Sequence, residues 1–209
     1  MMGETMTRVE GSTLRPGVTL YFVRHGETDW NVAQRYQGQT DIPLNDNGRA
    51  QALRNGRALG HVLGARAKSF CYVASPLART TETMQIIRHA MGLPADDFLR
   101  DARLMEQNFG HWEGQLWGEL PKLDPQGFAA RKADTWNWIP RDGENYPMLQ
   151  ARVEPWLASV TTDTVVVAHG NVGRVVRGLV LRLDKQAVTK LDAPQDRVLR
   201  LRDVEAEWI

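Results

Sequence analysis

Val18-Thr19-Leu20-Tyr21-Phe22-Val23 is apolar but for one threonine and stops at Arg24-His25-Gly26-Glu27-Thr28. An apolar run without polar alternation predicts a strand over 18–23 that is buried on both faces of a sheet. In open α/β sheets ligands bind in the crevice beyond the carboxyl ends of the strands, which is where the triplet Arg24-His25-Gly26 falls. Arg24 offers a fixed positive charge and His25 a nitrogen nucleophile, while Gly26 permits a sharp turn or close approach to a ligand. Alone, the triplet equally describes a histidine closing an ordinary strand.

Outward from that run the chain alternates. Strands are predicted over 70–74, 97–104, 164–168 and 197–204, and helices over 45–63, 77–91 and 172–183. In the last helix Val172, Val175, Val176, Leu179, Val180 and Leu183 share one face, with Arg174, Arg177 and Arg182 turned away from it. Such alternation predicts βαβ units, hence an α/β fold with a mostly parallel central sheet and helices on both faces. The charges interleaved in 197–204 predict an edge strand near the C-terminus. Residues 1–16 read as a flexible leader, and 17–209 as one domain with a Trp-rich excursion at about 107–147.

Three further segments end as the first one does. Thr164-Val165-Val166-Val167-Ala168 runs into His169-Gly170-Asn171, so two strands each deliver a His-Gly pair. Tyr72-Val73-Ala74 leads to Ser75-Pro76-Leu77-Ala78-Arg79-Thr80, where Arg79 falls in the first turn of a helix, and a helix N-terminus itself attracts anions. Leu104-Met105-Glu106 places an acid just before the Gly- and Trp-rich Gly110-His111-Trp112-Glu113-Gly114. Each has a plain explanation alone, as a surface arginine, a capped helix or a solvated glutamate; the four in order along one chain do not.

The ordered set resembles the histidine phosphatase superfamily, also called the phosphoglycerate mutase-like family. Arg24-His25-Gly26-Glu27-Thr28 with Trp30-Asn31 is similar to its opening motif, Ser75-Pro76-Leu77 through Arg79-Thr80 to its second, and Glu106 and His169-Gly170 to its acid and second histidine. The resemblance covers about 18–180 and implies a phosphomonoester hydrolase acting through a phosphohistidine on a small phosphorylated metabolite. His25 is then the nucleophile and Glu106 the proton donor to the leaving oxygen; Arg24, Arg79 and His169 complete the catalytic set. Asn31, Thr28, Gln37, Gly38 and Gly170, with Arg24, Arg79 and His169, are the expected phosphate-binding residues. Arginine forks can grip phosphoryl oxygens in a bidentate manner and hold charge as it spreads over them. Nucleophilic attack needs a neutral imidazole whose other nitrogen donates to an acceptor that the sequence does not name.

Composition limits the alternatives. Lysine and arginine total 26 against 25 acids, a formal net charge of +1, so neither a nucleic-acid surface nor a membrane-binding patch is expected. One cysteine, Cys71, in an apolar segment, excludes an internal disulfide and fits a cytoplasmic protein. No run approaches the length of a membrane helix. No spacing among the 5 histidines resembles a zinc site, so no metal or other cofactor is expected. His61 and His89 fall within helical patterns, and His111 is left open between pocket and solvent. The expected partner is a small-molecule phosphate ester; a homodimer is left open.

Four of the 7 tryptophans, Trp112, Trp117, Trp136 and Trp138, lie in 107–147 with Phe109, Phe128 and Tyr146. They form either a lid supplying an apolar wall for the leaving group or a plain anchor for an irregular excursion. Two other functions stay open. A cofactor-dependent mutase needs extra positive charge near the acid, and from Gln107 to Ala130 only Lys122 supplies it, although Arg131-Lys132 follows. A non-catalytic phosphate-binding member of the fold would tolerate loss of His25, Glu106 or His169, and none is lost.

Overall fold

The computed structural model describes residues 14–209. In chain order its elements are β1 (Thr19–Arg24), α1 (Asp29–Val32), α2 (Asp46–Leu63), β2 (Cys71–Ala74), α3 (Ala78–Ala90), β3 (Leu99–Arg100), α4 (Leu120–Leu123), α5 (Pro125–Ala133), α6 (Tyr146–Ala158), β4 (Thr164–Ala168), α7 (Gly170–Leu181), α8 (Lys185–Lys190), β5 (Val198–Arg202) and β6 (Glu205–Trp208), with short 3-10 turns between. The strands form one 6-stranded sheet in the order β3-β2-β4-β1-β5-β6. β3, β2, β4 and β1 run parallel, and β5 and β6 add antiparallel at one side.

The apolar run of β1 is divided between two cores by the strand's period of two. Leu20 and Phe22 pack with Leu149, Val153 and Trp156 of α6 and Val172, Val175 and Val176 of α7. Tyr21 and Val23 point the other way, to Leu59 and Leu63 of α2 and Met84 and Ile87 of α3. Helices therefore cover both faces, and the crevice at the strand ends is the open side. Leu14, inside the stretch read as a leader, is buried in the first core; residues 1–13 lie outside the described residues.

Three expectations are corrected. β5 is not an edge: it pairs with β1 on one side and β6 on the other, so Glu205–Trp208 is the edge strand at the C-terminal end. The segment 97–104 contributes two paired residues, Leu99 and Arg100, both exposed, before it turns to deliver Glu106. Helix α7 spans Gly170–Leu181 and stops at Arg182 in a left-handed conformation, φ 55°, so it is not the predicted 172–183. Helix α6 is not among the predicted helices; its Pro147 sits in the first turn, where a missing N–H costs nothing.

Gly26 approaches protein backbone rather than ligand. A Cβ on Gly26 would overlap the carbonyl of Gly48 at the start of α2, and one on Gly48 would overlap the carbonyl of Glu27. This mutual contact sets the N-terminal turn of α2 directly against the turn that follows His25. Because backbone atoms stand on both sides and cannot rotate away, Gly48→Ala is expected to lower unfolding free energy by about 1–3 kcal/mol in urea denaturation. Gly60→Ala, in the same helix with its nearest atom at 3.5 Å, should instead gain roughly 0.5–1 kcal/mol.

Candidate active site

The parallel register of β1 on β4 pairs Arg24 with Ala168. The chain carries that register one residue further, the His25 N–H donating to the Ala168 carbonyl at 2.9 Å. His25 and His169 thus leave adjacent strand ends together, with ring centroids 5.2 Å apart at 62°. β2, on the far side of β4, is followed by Ser75, whose N–H donates to the Val167 carbonyl at 3.0 Å.

Both imidazoles are buried and neutral. Desolvation, then the charge of Arg79, holds each well below the ordinary histidine value of 6.5. His25 Nδ1 lies 2.7 Å from the Gly26 carbonyl, to which it donates, leaving the lone pair on Nε2. The acceptor that the sequence could not name is thus the next residue's backbone. His169 Nε2 lies 2.8 Å from Ser75 Oγ, which can donate to it; in that tautomer Nδ1, buried and without a hydrogen-bond partner, carries the proton.

Two guanidiniums flank the pair. Arg24 donates from Nη1 to the Ala193 carbonyl at 2.6 Å, and its buried Nε has no partner. Burial brings its pKa down to about 10, opposed by Glu106, and it stays charged at neutral pH. Arg79 donates from Nη2 to the Gly38 carbonyl at 2.6 Å and from Nη1 to the Thr40 carbonyl at 2.8 Å, while its buried Nε is again unpartnered. The N-terminus of α3 is not open to an anion: Asp41 occupies it, accepting from the Ala78 N–H at 2.9 Å.

Glu106 faces the cage from the opposite side. Its Oε1 accepts from the Gln107 N–H at 2.9 Å and its Oε2 from the Asn171 N–H at 3.2 Å, in the first turn of α7. The strand-poor segment carrying it is held by Arg152 of α6, which donates to the carbonyls of Arg103, Met105 and Glu106 and pairs with Glu144 at 2.9 Å.

These groups surround a cavity of about 340 Å³. Of the expected residues, Arg24, His25, Asn31, Gln37, Gly38, Arg79, Glu106 and Gly170 line it. His169 stands against His25 without facing the cavity directly. Thr28 does not line it; fully buried, its Oγ1 accepts from the Asn31 N–H and caps α1. His111 lies elsewhere, bonded to Asp124 at 3.1 Å.

Sequence reasoning missed Arg35, Arg174, Tyr36 and Asn171, all of which line the cavity together with Arg131. Arg174 was read as turned away from the apolar face of α7, and it lines the cavity from that helix's early turns. The usable signal was its nearness to His169-Gly170, not its side of the helix.

The Trp-rich excursion builds a small core of its own. Trp112 packs on Trp138, with ring centroids 4.1 Å apart, and clusters with Tyr36, Phe109 and Leu120. From this base Phe109 and Trp117 reach the cavity wall.

A family model described as the histidine phosphatase superfamily (branch 1) matches residues 20–208. The chain belongs to this superfamily. Among relatives of this histidine phosphatase, a glucosyl-3-phosphoglycerate phosphatase of Mycobacterium tuberculosis is 31% identical over 177 residues, 78% of this chain and 75% of that one. Phosphoglycerate mutase-like protein 4 of Arabidopsis thaliana is 33% identical over 189 residues, 87% and 78% of the two chains. A solved mycobacterial glucosyl-3-phosphoglycerate phosphatase in complex with VO3 superposes with a TM-score of 0.76 at 26% identity, covering 92% of this chain and 97% of the other.

The neutral histidines set a pH dependence. Folding lowers both values below the unfolded 6.5, so below about pH 6.5 the unfolded state takes up protons that the folded state refuses, and stability falls as pH falls. Imidazole ¹⁵N spectra of the histidine phosphatase should show His25 and His169 still neutral at pH 5.5. The urea midpoint should drop between pH 7.5 and 5.5, and less so in His25→Asn. Protonation of His25 near 6.5 in the free protein would refute the arrangement.

Proposed function

We propose that this histidine phosphatase hydrolyses a small phosphomonoester in two displacements. The observation that carries the reading is that three buried donors without partners, Arg24 Nε, Arg79 Nε and His169 Nδ1, belong to residues that line the cavity with His25 or stand against its ring. Buried polar atoms are ordinarily satisfied, and a phosphoryl group supplies the oxygens these lack.

In the first step His25 Nε2 attacks phosphorus, the P–N bond forms and the P–O bond to the leaving group breaks. Glu106, as the acid, gives its proton to the departing oxygen. In the second step water attacks the phosphohistidine, Glu106 as carboxylate takes its proton, and the P–N bond breaks to release phosphate and neutral His25. Arg24, Arg79 and His169 hold the charge on the equatorial oxygens, with Asn31, Gln37, Gly38 and Gly170 at the rim. Catalysis by this set needs no bound metal, and turnover is expected to survive excess EDTA.

The arginine excess points to the kind of ester. The cavity lining carries five guanidiniums against the one carboxylate of Glu106, and Arg24 and Arg79 suffice for the phosphoryl group. Arg131, 5.9 Å above the Tyr36 ring, makes no side-chain hydrogen bond or ion pair among the described residues. We therefore read the leaving group as carrying a second anion, a carboxylate foremost, which agrees with the phosphoglycerate in both relatives' names. The same charge supports a second reading, a mutase, because the shortage of basic residues in 107–130 is made good by Arg35, Arg131 and Arg174 from elsewhere in the chain. Among the described residues no helix is long and apolar enough to cross a membrane. A cytoplasmic location is part of the proposal, resting on the single cysteine and the metabolite chemistry.

Acid-labile, base-stable label from a ³²P-labelled substrate should be trapped on the wild type and be absent from His25→Ala; label persisting on the variant would remove His25 as nucleophile. Arg131→Met should raise KM about tenfold for 3-phosphoglycerate and phosphoserine and leave an uncharged alkyl phosphate nearly unchanged. Equal effects on both would remove the carboxylate assignment. Phosphoglycerate isomerisation that depends on 2,3-bisphosphoglycerate, with no phosphate release, would establish the mutase instead.

A further inference from the structure

Glu113 is the next acid along the chain after Glu106, but its oxygens are already taken. Oε1 accepts from the Gln39 N–H at 2.9 Å and the Phe109 N–H at 3.1 Å, and Oε2 from the Thr40 N–H at 2.9 Å and the Thr40 hydroxyl at 2.5 Å. A carboxylate accepting four hydrogen bonds, three of them from backbone, is fixed in place, and Glu113 is not among the residues that line the cavity.

What it holds is informative. The loop 38–40 is the same one whose carbonyls, those of Gly38 and Thr40, receive the two Nη groups of Arg79. Gly38 has φ +53°, and any Cβ there would overlap the Glu113 carboxylate, so a glycine at this position answers both the backbone turn and the approach of Glu113. The Phe109 N–H on the same carboxylate belongs to a residue of the cavity wall. One side chain therefore joins the Trp-rich excursion to the loop that aims Arg79.

We propose that Glu113 is a positioning residue for phosphoryl binding: through the loop 38–40 it sets the direction in which Arg79 presents its free Nε to the phosphoryl oxygens. It acts on the phosphoryl group and not on the leaving oxygen, so its removal must show a different pattern from loss of Glu106. A general acid matters most for poor leaving groups; a phosphoryl ligand matters for all.

The proposal rests on the reading of Arg79 as a phosphoryl ligand, and the test separates the two. Inorganic phosphate affinity is measured by titration calorimetry, and kcat/KM with an aryl and an alkyl phosphate, for wild type, Glu113→Ala, Arg79→Lys and the double variant. Glu113→Ala should weaken phosphate binding about tenfold or more and lower kcat/KM by the same factor for both esters. In the Arg79→Lys background the same substitution should cost less than twofold, because the group it aims is already altered.

A full tenfold effect persisting in the Arg79→Lys background would overturn the proposal. So would unchanged phosphate affinity in folded Glu113→Ala, or a loss confined to the alkyl ester. If Glu113→Ala fails to fold, Glu113→Gln, which keeps one acceptor oxygen, is carried through the same cycle with the same criterion. Absence of phosphate binding by the wild type would instead overturn the proposed function.

Discussion

The parallel pairing of β1 with β4 is the constraint on which the site depends. Residues 25 and 169 are far apart in sequence, and only the register that sets Arg24 opposite Ala168 brings their rings to 5.2 Å. Slipping either strand by one residue would reverse every side chain of that strand between the two cores, moving Leu20 and Phe22 away from α6 and α7. The hydrophobic packing of both sheet faces therefore fixes the chemistry at the strand ends, and the site inherits its precision from the core.

Around that pair, burial and charge act together. Burial first, and then the charge of the guanidiniums beside them, holds both imidazoles uncharged, as the proposed attack by one and donation by the other require. The same desolvation brings Arg24 down to about 10 and still leaves it charged. The lone carboxylate in the lining, Glu106, is held in place by the Gln107 N–H and by the Asn171 N–H in the first turn of α7. Unpartnered nitrogens on Arg24, Arg79 and His169 remain, and the proposed phosphoryl binding rests on them.

Much of this was legible in order along the chain. β1, β2, β4, α2 and α3 announce themselves because buried parallel strands are continuous apolar runs and amphipathic helices keep a stripe; in the structure Asn45 caps α2, its side chain accepting from the Gly48 N–H. His25, Arg79 and His169 were legible in position because each follows such a run; Glu106 follows the segment 97–104, of which only the exposed Leu99 and Arg100 pair. Thr28 was misplaced because its threonine type suits a phosphate rim and a helix cap equally, and only the short α1 after it shows the second use. β6 escaped because Glu205-Ala206-Glu207-Trp208 is a hairpin return whose first three residues are exposed, only Trp208 packing against the first core.

The sequence by itself determined the α/β class, the strand ends at which chemistry collects and the residue types that make a phosphoryl cage, since these depend on local periodicity and on residues adjacent to it. Tertiary structure alone decided the acceptor of His25, the serine behind His169, the bonding of Glu113 to the loop 38–40 and the arrival of Arg35, Arg131 and Arg174 at one cavity. Each of these depends on side-chain direction and on contacts between segments distant in sequence or around a turn, and a linear pattern carries neither.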